Sequence, residues 1–241
     1  MGTFKKLIVN RSGVSTVYDV GGVDDSEVVR FIEDTTTING NPDISYIRSN
    51  FFQNNSTITS VYFPNCITIN NQAFYTCQNL SQISFPKCEY VGSYAFNGTK
   101  IENITLPKCK SYSVYAFPST MTSLSLEECL STIMEINAPN LLNIYLPRCE
   151  YLGNRIFGYT TPKYVYLPKC SYIGTSIFRL ASDGASIYIG TSLSYVCSIV
   201  GDPFSSVSYI PSCSIYVPLS LVNDYKSASY WSNYSSYFVG I

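Results

Sequence analysis

The chain has 241 residues, with 46% hydrophobic and only 13% charged, about half the usual charged share for a soluble domain. Fifteen basic and 16 acidic residues leave a net charge of −1, so no cationic excess exists to neutralise phosphates and nucleic-acid binding is not expected. The absence of histidine removes Ser-His and Cys-His dyads, His-ligated zinc and the usual general base near neutral pH.

Residues 1–43 read as an N-terminal segment or cap. The start, Met1 to Asn10, has two lysines but an apolar run of only three residues, so it does not read as a secretory signal. No apolar run approaches the roughly 20 residues needed to span a bilayer. Asp24, Asp25, Glu27, Glu33 and Asp34 cluster here and read as a solvated polar face or a cap in preference to a metal site. Phe51 and Phe52 stand 22 residues before Ala73-Phe74 and mark a partial repeat.

From residue 44 to 217 the chain repeats. Cys66, Cys88, Cys109, Cys129, Cys149 and Cys170 are spaced 22, 21, 20, 20 and 21 residues apart. Each ends the same frame: Ile58-x-x-Val61-x-Phe63-x-x-Cys66 is followed by Leu80-x-x-Ile83-x-Phe85-x-x-Cys88 and Ile101-x-x-Ile104-x-Leu106-x-x-Cys109. Met121-x-x-Leu124-x-Leu126-x-x-Cys129, Leu141-x-x-Ile144-x-Leu146-x-x-Cys149 and Pro162-x-x-Val165-x-Leu167-x-x-Cys170 complete the six. Alternation such as Val61-x-Phe63 predicts a short strand with one buried face, and stacked copies predict a parallel sheet. A second block follows each cysteine: Ala73-Phe74, Ala95-Phe96, Ala116-Phe117, Ile156-Phe157 and Ile177-Phe178, with Ile136-Asn137 degenerate in the fourth copy. It is expected to return along the opposite wall and drop its Phe into the core. Gly92, Gly153 and Gly174, four residues before the Phe, suggest a tight turn with positive φ. Ile187-Tyr-Ile189 and Ile215-Tyr-Val217 read as two further strands. Residues 218–241 read as a C-terminal cap with a short helix, Leu221, Val222 and Tyr225 facing inward and Trp231 covering the end.

This pattern is the L-x-x-L-x-L-x-x-N/C frame of leucine-rich repeats. Phe85-Pro86-Lys87-Cys88 through Val91-Gly92 to Ala95-Phe96, and Leu167-Pro168-Lys169-Cys170 through Ile173-Gly174 to Ile177-Phe178, resemble the BspA-like subgroup over about residues 44–190. The fourth copy departs from it, with Glu127 for the Pro and Asn137 for the Phe. The resemblance implies a leucine-rich-repeat solenoid, a right-handed α/β-type superhelix of about seven to eight repeats with short parallel strands in one sheet, turns or 3-10 segments opposite and little α-helix. It further implies bacterial, surface or phage-associated proteins of adhesion and recognition, with no enzyme activity and no cofactor.

Candidate chemistry falls in three groups of repeat positions. The ladder cysteines read as buried thiols filling a structural slot, with disulfides or a thiolate metal site as the other reading; Cys77, Cys197 and Cys213 lie outside the ladder, and a Cys197–Cys213 bridge stays open. No Cys-x-x-Cys motif supports zinc. The outward strand positions form two rows: Tyr62, Ser84, Thr105, Ser125, Tyr145, Tyr166, Tyr188 and Tyr216, and Ser60, Gln82, Asn103, Ser123, Asn143, Tyr164, Ser186 and Ser214. Tyr62, Tyr145, Tyr164, Tyr166 and Tyr188 are the candidate binding residues, since tyrosine offers rigid contact area with a polar tip; tyrosine also simply suits exposed strands. Lys87, Lys108, Arg148 and Lys169 form a basic column interrupted by Glu128, with Glu89 and Glu150 near enough to offset it; it reads as a solvated rim. The chain is thus expected to recognise a protein or glycan through the sheet face, or else to serve as a structural, self-assembling module, with oligomeric state open.

Overall fold

The structure, a computed structural model, describes residues 7–9, 14–17, 36–40, 42, 44–157, 159–178, 183–204 and 212–241. The acidic cluster at residues 24–34 lies outside them. The chain divides into two compact units, Met1–Met121 and Thr122–Ile241. Each is a solenoid of stacked parallel strands.

The alternating frame forms the front wall in both units. In the first, Val14–Val17, Thr37–Gly40, Ser60–Tyr62 and Gln82–Ser84 pair in parallel, and Leu7–Val9 closes antiparallel on Val14–Val17. In the second, Ser123–Ser125, Asn143–Tyr145, Tyr164–Leu167, Ala185–Ile189 and Cys213–Val217 pair in parallel. Register follows the frame: Val61 lies opposite Ile83, and Ile144 opposite Val165. Inward-facing positions therefore stack on inward-facing positions, which is what specifies the register.

A second wall, not separately expected, runs just after the cysteines. It consists of two-residue strands: Tyr46–Ile47, Thr68–Ile69, Tyr90–Val91 and Ser111–Tyr112 in the first unit, and Ser131–Thr132, Tyr151–Leu152, Tyr172–Ile173 and Ser198–Ile199 in the second. The Ala-Phe blocks make a third wall of turns joined by their own main-chain bonds. The amide N–H groups of Phe52, Phe74 and Phe96 donate to the carbonyls of Ala73, Ala95 and Ala116 at 2.8–2.9 Å. Their rings stack inside, Phe52 on Phe74 at 4.9 Å and Phe74 on Phe96 at 5.4 Å. In the fourth copy Asn137 is exposed, and Ile136 and Ala138 take the inner positions.

The recurring glycines differ from expectation. Gly92, Gly153 and Gly174 do not take positive φ; that conformation falls two residues later, at Tyr94, Arg155 and Ser176. A Cβ on Gly92 would lie 2.6 Å from Asn71 N, and one on Gly174 2.7 Å from the carbonyl carbon of Gly153. Glycine stands there because the neighbouring coil's backbone leaves no room for a side chain.

Neither expected boundary, after residue 43 or after 217, coincides with a break in front-wall pairing. Thr37–Gly40 already pairs with Ser60–Tyr62, and Phe238–Gly240 adds in parallel to Cys213–Val217. Between those last two strands the chain makes a 3-10 turn at Leu219–Leu221, an α-helix at Val222–Ser227 and a 3-10 segment at Trp231–Tyr237. Leu221, Tyr225 and Trp231 are buried as expected, joined by Tyr234 and Phe238; Val222 is only half-buried.

Candidate functional site

The pleat sends alternate front-wall residues to solvent, and parallel register puts equivalent residues side by side about 4.8 Å apart. In the second unit this aligns Tyr145, Tyr166, Tyr188 and Tyr216 in one row and Asn143, Tyr164, Ser186 and Ser214 in the other. The rings meet. Tyr145 and Tyr166 stack at 5.1 Å, nearly parallel, and Tyr188 stacks on Tyr216 at 4.4 Å. Tyr164 lies 6.5 Å from Tyr166 and 5.5 Å from Tyr188, which joins the two stacks. Tyr145 and Tyr164 are exposed, while Tyr166, Tyr188 and Tyr216 are half-buried by their neighbours. The structure thus brings together four of the five candidates. Tyr62 is exposed in the other unit, where Ser84 and Thr105 follow it in its row. Tyr216 belongs to the cluster although it was not among the candidates; its place in the same row was the available signal.

These front strands carry no charged residue, so the surface they offer is one of hydroxyls, amides and aromatic edges. Lost hydration and the neighbouring phenols Tyr188, Tyr166 and Tyr145 push the Tyr164 hydroxyl's pKa upward. It therefore stays protonated and available as donor and acceptor throughout the neutral range.

The ladder cysteines point inward. Each thiol donates to the carbonyl two residues on: Cys66 to Thr68, Cys88 to Tyr90 and Cys109 to Ser111 in the first unit, Cys129 to Ser131, Cys149 to Tyr151 and Cys170 to Tyr172 in the second, all at 3.3–3.4 Å. The slot therefore wants a small donor that reaches the carbonyl as the chain turns from the front wall to the second wall.

Six copies of the BspA-type leucine-rich repeat region match residues 45–161. Those residues are BspA-type leucine-rich repeats. Among solved structures, a leucine-rich repeat protein of Bacteroides ovatus is similar at 18% identity, with 90% of this chain and 70% of that one covered and a TM-score of 0.45. One from Eubacterium ventriosum is similar at 10% identity, covering 91% and 86%, with a TM-score of 0.33. No curated protein matches.

All nine cysteines are buried and none forms a disulfide, Cys197 and Cys213 included. Cys197 lies one residue nearer its second-wall strand than the ladder cysteines do: its thiol donates to the carbonyl of the very next residue, Ser198, at 3.8 Å, and Ser198 pairs with Tyr172. Cys77 donates separately to the Phe52 carbonyl at 2.9 Å.

Burial pushes the thiols of the BspA-type repeats far up, Cys129 to about 11 and Cys88 to about 12, and likewise Cys77 to about 12 and Cys213 to about 11. Two results follow. Folded protein will leave its thiols unreactive toward a disulfide reagent at pH 8, and denatured protein will titrate nine; fewer than nine would reveal bridges. The second concerns pH. Unfolded thiols ionise near about 8.5, so below that both states hold their protons and the contribution of burial is complete. As pH rises from there the unfolded chain releases protons first, and stability falls until about pH 11–12. Chemical denaturation at pH 7, 9 and 10.5 measures this decline.

The basic column lies at the rim of each unit. Arg148 is 4.0 Å from Glu128, and Glu89, expected to offset the column, instead pairs with Lys110 at 2.8 Å. Such exposed pairs contribute little, roughly 0–1 kcal/mol. Among the described residues no cluster of His, Cys, Asp and Glu could hold a metal ion, and no helix is long and apolar enough to cross a membrane.

Proposed function

We propose that the chain is a non-enzymatic recognition module that binds a protein through the outward face of Asn143–Tyr145, Tyr164–Leu167, Ala185–Ile189 and Cys213–Val217, in an adhesive role at a cell surface. The observation that carries this reading is the continuous run of Tyr145, Tyr164, Tyr166, Tyr188 and Tyr216. Held by strand register and by one another, these rings lose little freedom on binding, which is where tyrosine is favoured in interfaces. Membership of a repeat family built for protein contacts supports it. The ring geometry favours a protein over a sugar: stacking of Tyr145 with Tyr166, and of Tyr188 with Tyr216, covers one face of each ring and leaves edges and hydroxyls as much of the surface on offer. A stacked sugar ring needs an open face, whereas a protein surface can use edges and hydroxyls.

The test is a surface-protein binding screen run beside a glycan array, each repeated with the Tyr145→Ala/Tyr164→Ala/Tyr166→Ala variant. The variant is expected to fold normally and to bind its protein partner about 100-fold or more weakly, as loss of central aromatic contacts does. Binding that the variant retains would move the site off this face. Absence of any partner, with a stable oligomer on size exclusion, would favour a structural, self-assembling role.

A further inference from the structure

The front wall of the first unit has an opening that its sequence frame does not announce. Gln82–Ser84 pairs with Ser60–Tyr62 on one side, where the Gln82 N–H donates to Thr59 O at 3.1 Å and Ser84 O accepts from the Phe63 N–H at 3.0 Å. Main-chain groups of successive strand residues point to opposite sides, so the N–H and C=O of Ile83 point the other way. On that side stands Asn103–Thr105, which does not pair with Gln82–Ser84. The gap is local. The Lys100 N–H still donates to Leu80 O at 2.8 Å, Tyr90 pairs with Ser111, and the Phe96 N–H reaches Ala116 O at 2.9 Å. The two coils are thus held together on either side of the opening. It falls where buried Phe85 gives way to Leu106 in the frame and the strand spacing shortens from 22 to 21 residues.

The result is a cavity of about 470 Å³ lined by Ser81, Gln82, Ile83, Lys100, Glu102 and Asn103, a size suited to a small ligand. Ile83 is half-exposed at this opening, whereas its equivalents Val61 and Ile104 are 3% and 1% exposed. Lys100 is engaged with Asn79 Oδ1 at 3.1 Å.

We infer that this cavity binds a secondary amide carrying a small acyl group. An open strand edge offers one donor and one acceptor side by side, here the N–H and C=O of Ile83, and a secondary amide supplies their complement. The apolar surface of Ile83 receives the acyl methyl, and Gln82, Asn103 and Ser81 hydrogen-bond the rest of the ligand. No net charge is required. Both an N-acetylated sugar and a peptide unit carry this group.

The experiment is a ¹H–¹⁵N NMR titration of the full chain with N-acetyl-D-glucosamine, with N-acetyl-L-alanine methylamide, and with D-glucose as the amide-free control. The expected result is shifts at the Ile83 and Asn103 amides with at least one amide probe and none with glucose, and their loss in Ile83→Glu. Response to the sugar alone marks a glycan-borne amide, and response to the alanine derivative alone a peptide. In the free protein the Ile83 amide is expected to exchange with solvent much faster than that of Val61, a comparison that does not depend on how the variant folds. Equal protection of those two amides, no response to either amide probe, or an equal response to glucose would overturn the proposal.

Discussion

Phe96→Ala will destabilise the protein by about 3–5 kcal/mol, the range for removing a fully buried phenylalanine. The side chain is wholly buried, stacked 5.4 Å from Phe74 and packed 6.0 Å from Phe85. Its own main chain is committed as well: the N–H donates to Ala116 O, and the carbonyl accepts from the Thr99 N–H at 3.3 Å and the Thr99 hydroxyl at 2.8 Å. The turn is therefore pinned in place, and the surrounding coil cannot collapse into the space left by the ring. In a stacked array each coil is stabilised through its neighbours, so the deficit reaches the coils that carry Phe74 and Ala116 as well. Denaturant unfolding followed by circular dichroism measures the change. A shift below about 1 kcal/mol would mean that the third wall does not pack as a continuous aromatic column.

What the sequence made legible follows from what recurs at fixed spacing. Val61-x-Phe63 and its five counterparts give a period of two at every coil, and among the strands that pair, coils of 20 to 22 residues keep the same register because the difference is absorbed in turns. Hence the front wall and the two outward rows, with Tyr145, Tyr164, Tyr166 and Tyr188, could be read directly. The second wall could not, because a pair such as Tyr90–Val91 is too short to carry a period; it exists through cross-coil bonds such as the Tyr90 N–H to Ile67 O. Gly92 and Gly174 show that a small residue is required without showing why, and steric exclusion by the preceding coil, not backbone conformation, is the reason. The opening beside Ile83 was invisible because Leu80-x-x-Ile83 and Ile101-x-x-Ile104 match the frame equally well.

Trp231→Ala will cost a comparable amount, about 3–5 kcal/mol for the lost ring, and its effect will concentrate at the end of the array. Trp231 is 1% exposed and packs edge-on against Tyr225 at 5.9 Å and Phe238 at 5.8 Å. Its indole N–H donates to Cys197 O at 2.9 Å, and the Tyr225 hydroxyl accepts from the Cys197 N–H at 2.9 Å. Both main-chain groups of Cys197 are thus held by side chains of the terminal segment. Tyr234 reaches back in the same way, donating its hydroxyl to Asp202. An open solenoid end exposes apolar surface and unpaired backbone, and here aromatic side chains cover the one and bond the other. Alanine at 231 removes the cover and leaves a buried carbonyl without its donor, which adds about 1–3 kcal/mol unless water enters. Trp231→Phe keeps most of the volume and should cost mainly that hydrogen-bond share. Hydrogen exchange locates the damage: amides of Ser198–Ile199 and Cys213–Val217 will exchange faster in Trp231→Ala before those of Asn143–Tyr145 change. Uniform acceleration along the second unit would mean that Trp231 contributes to general stability and does not act as a seal on the last coil.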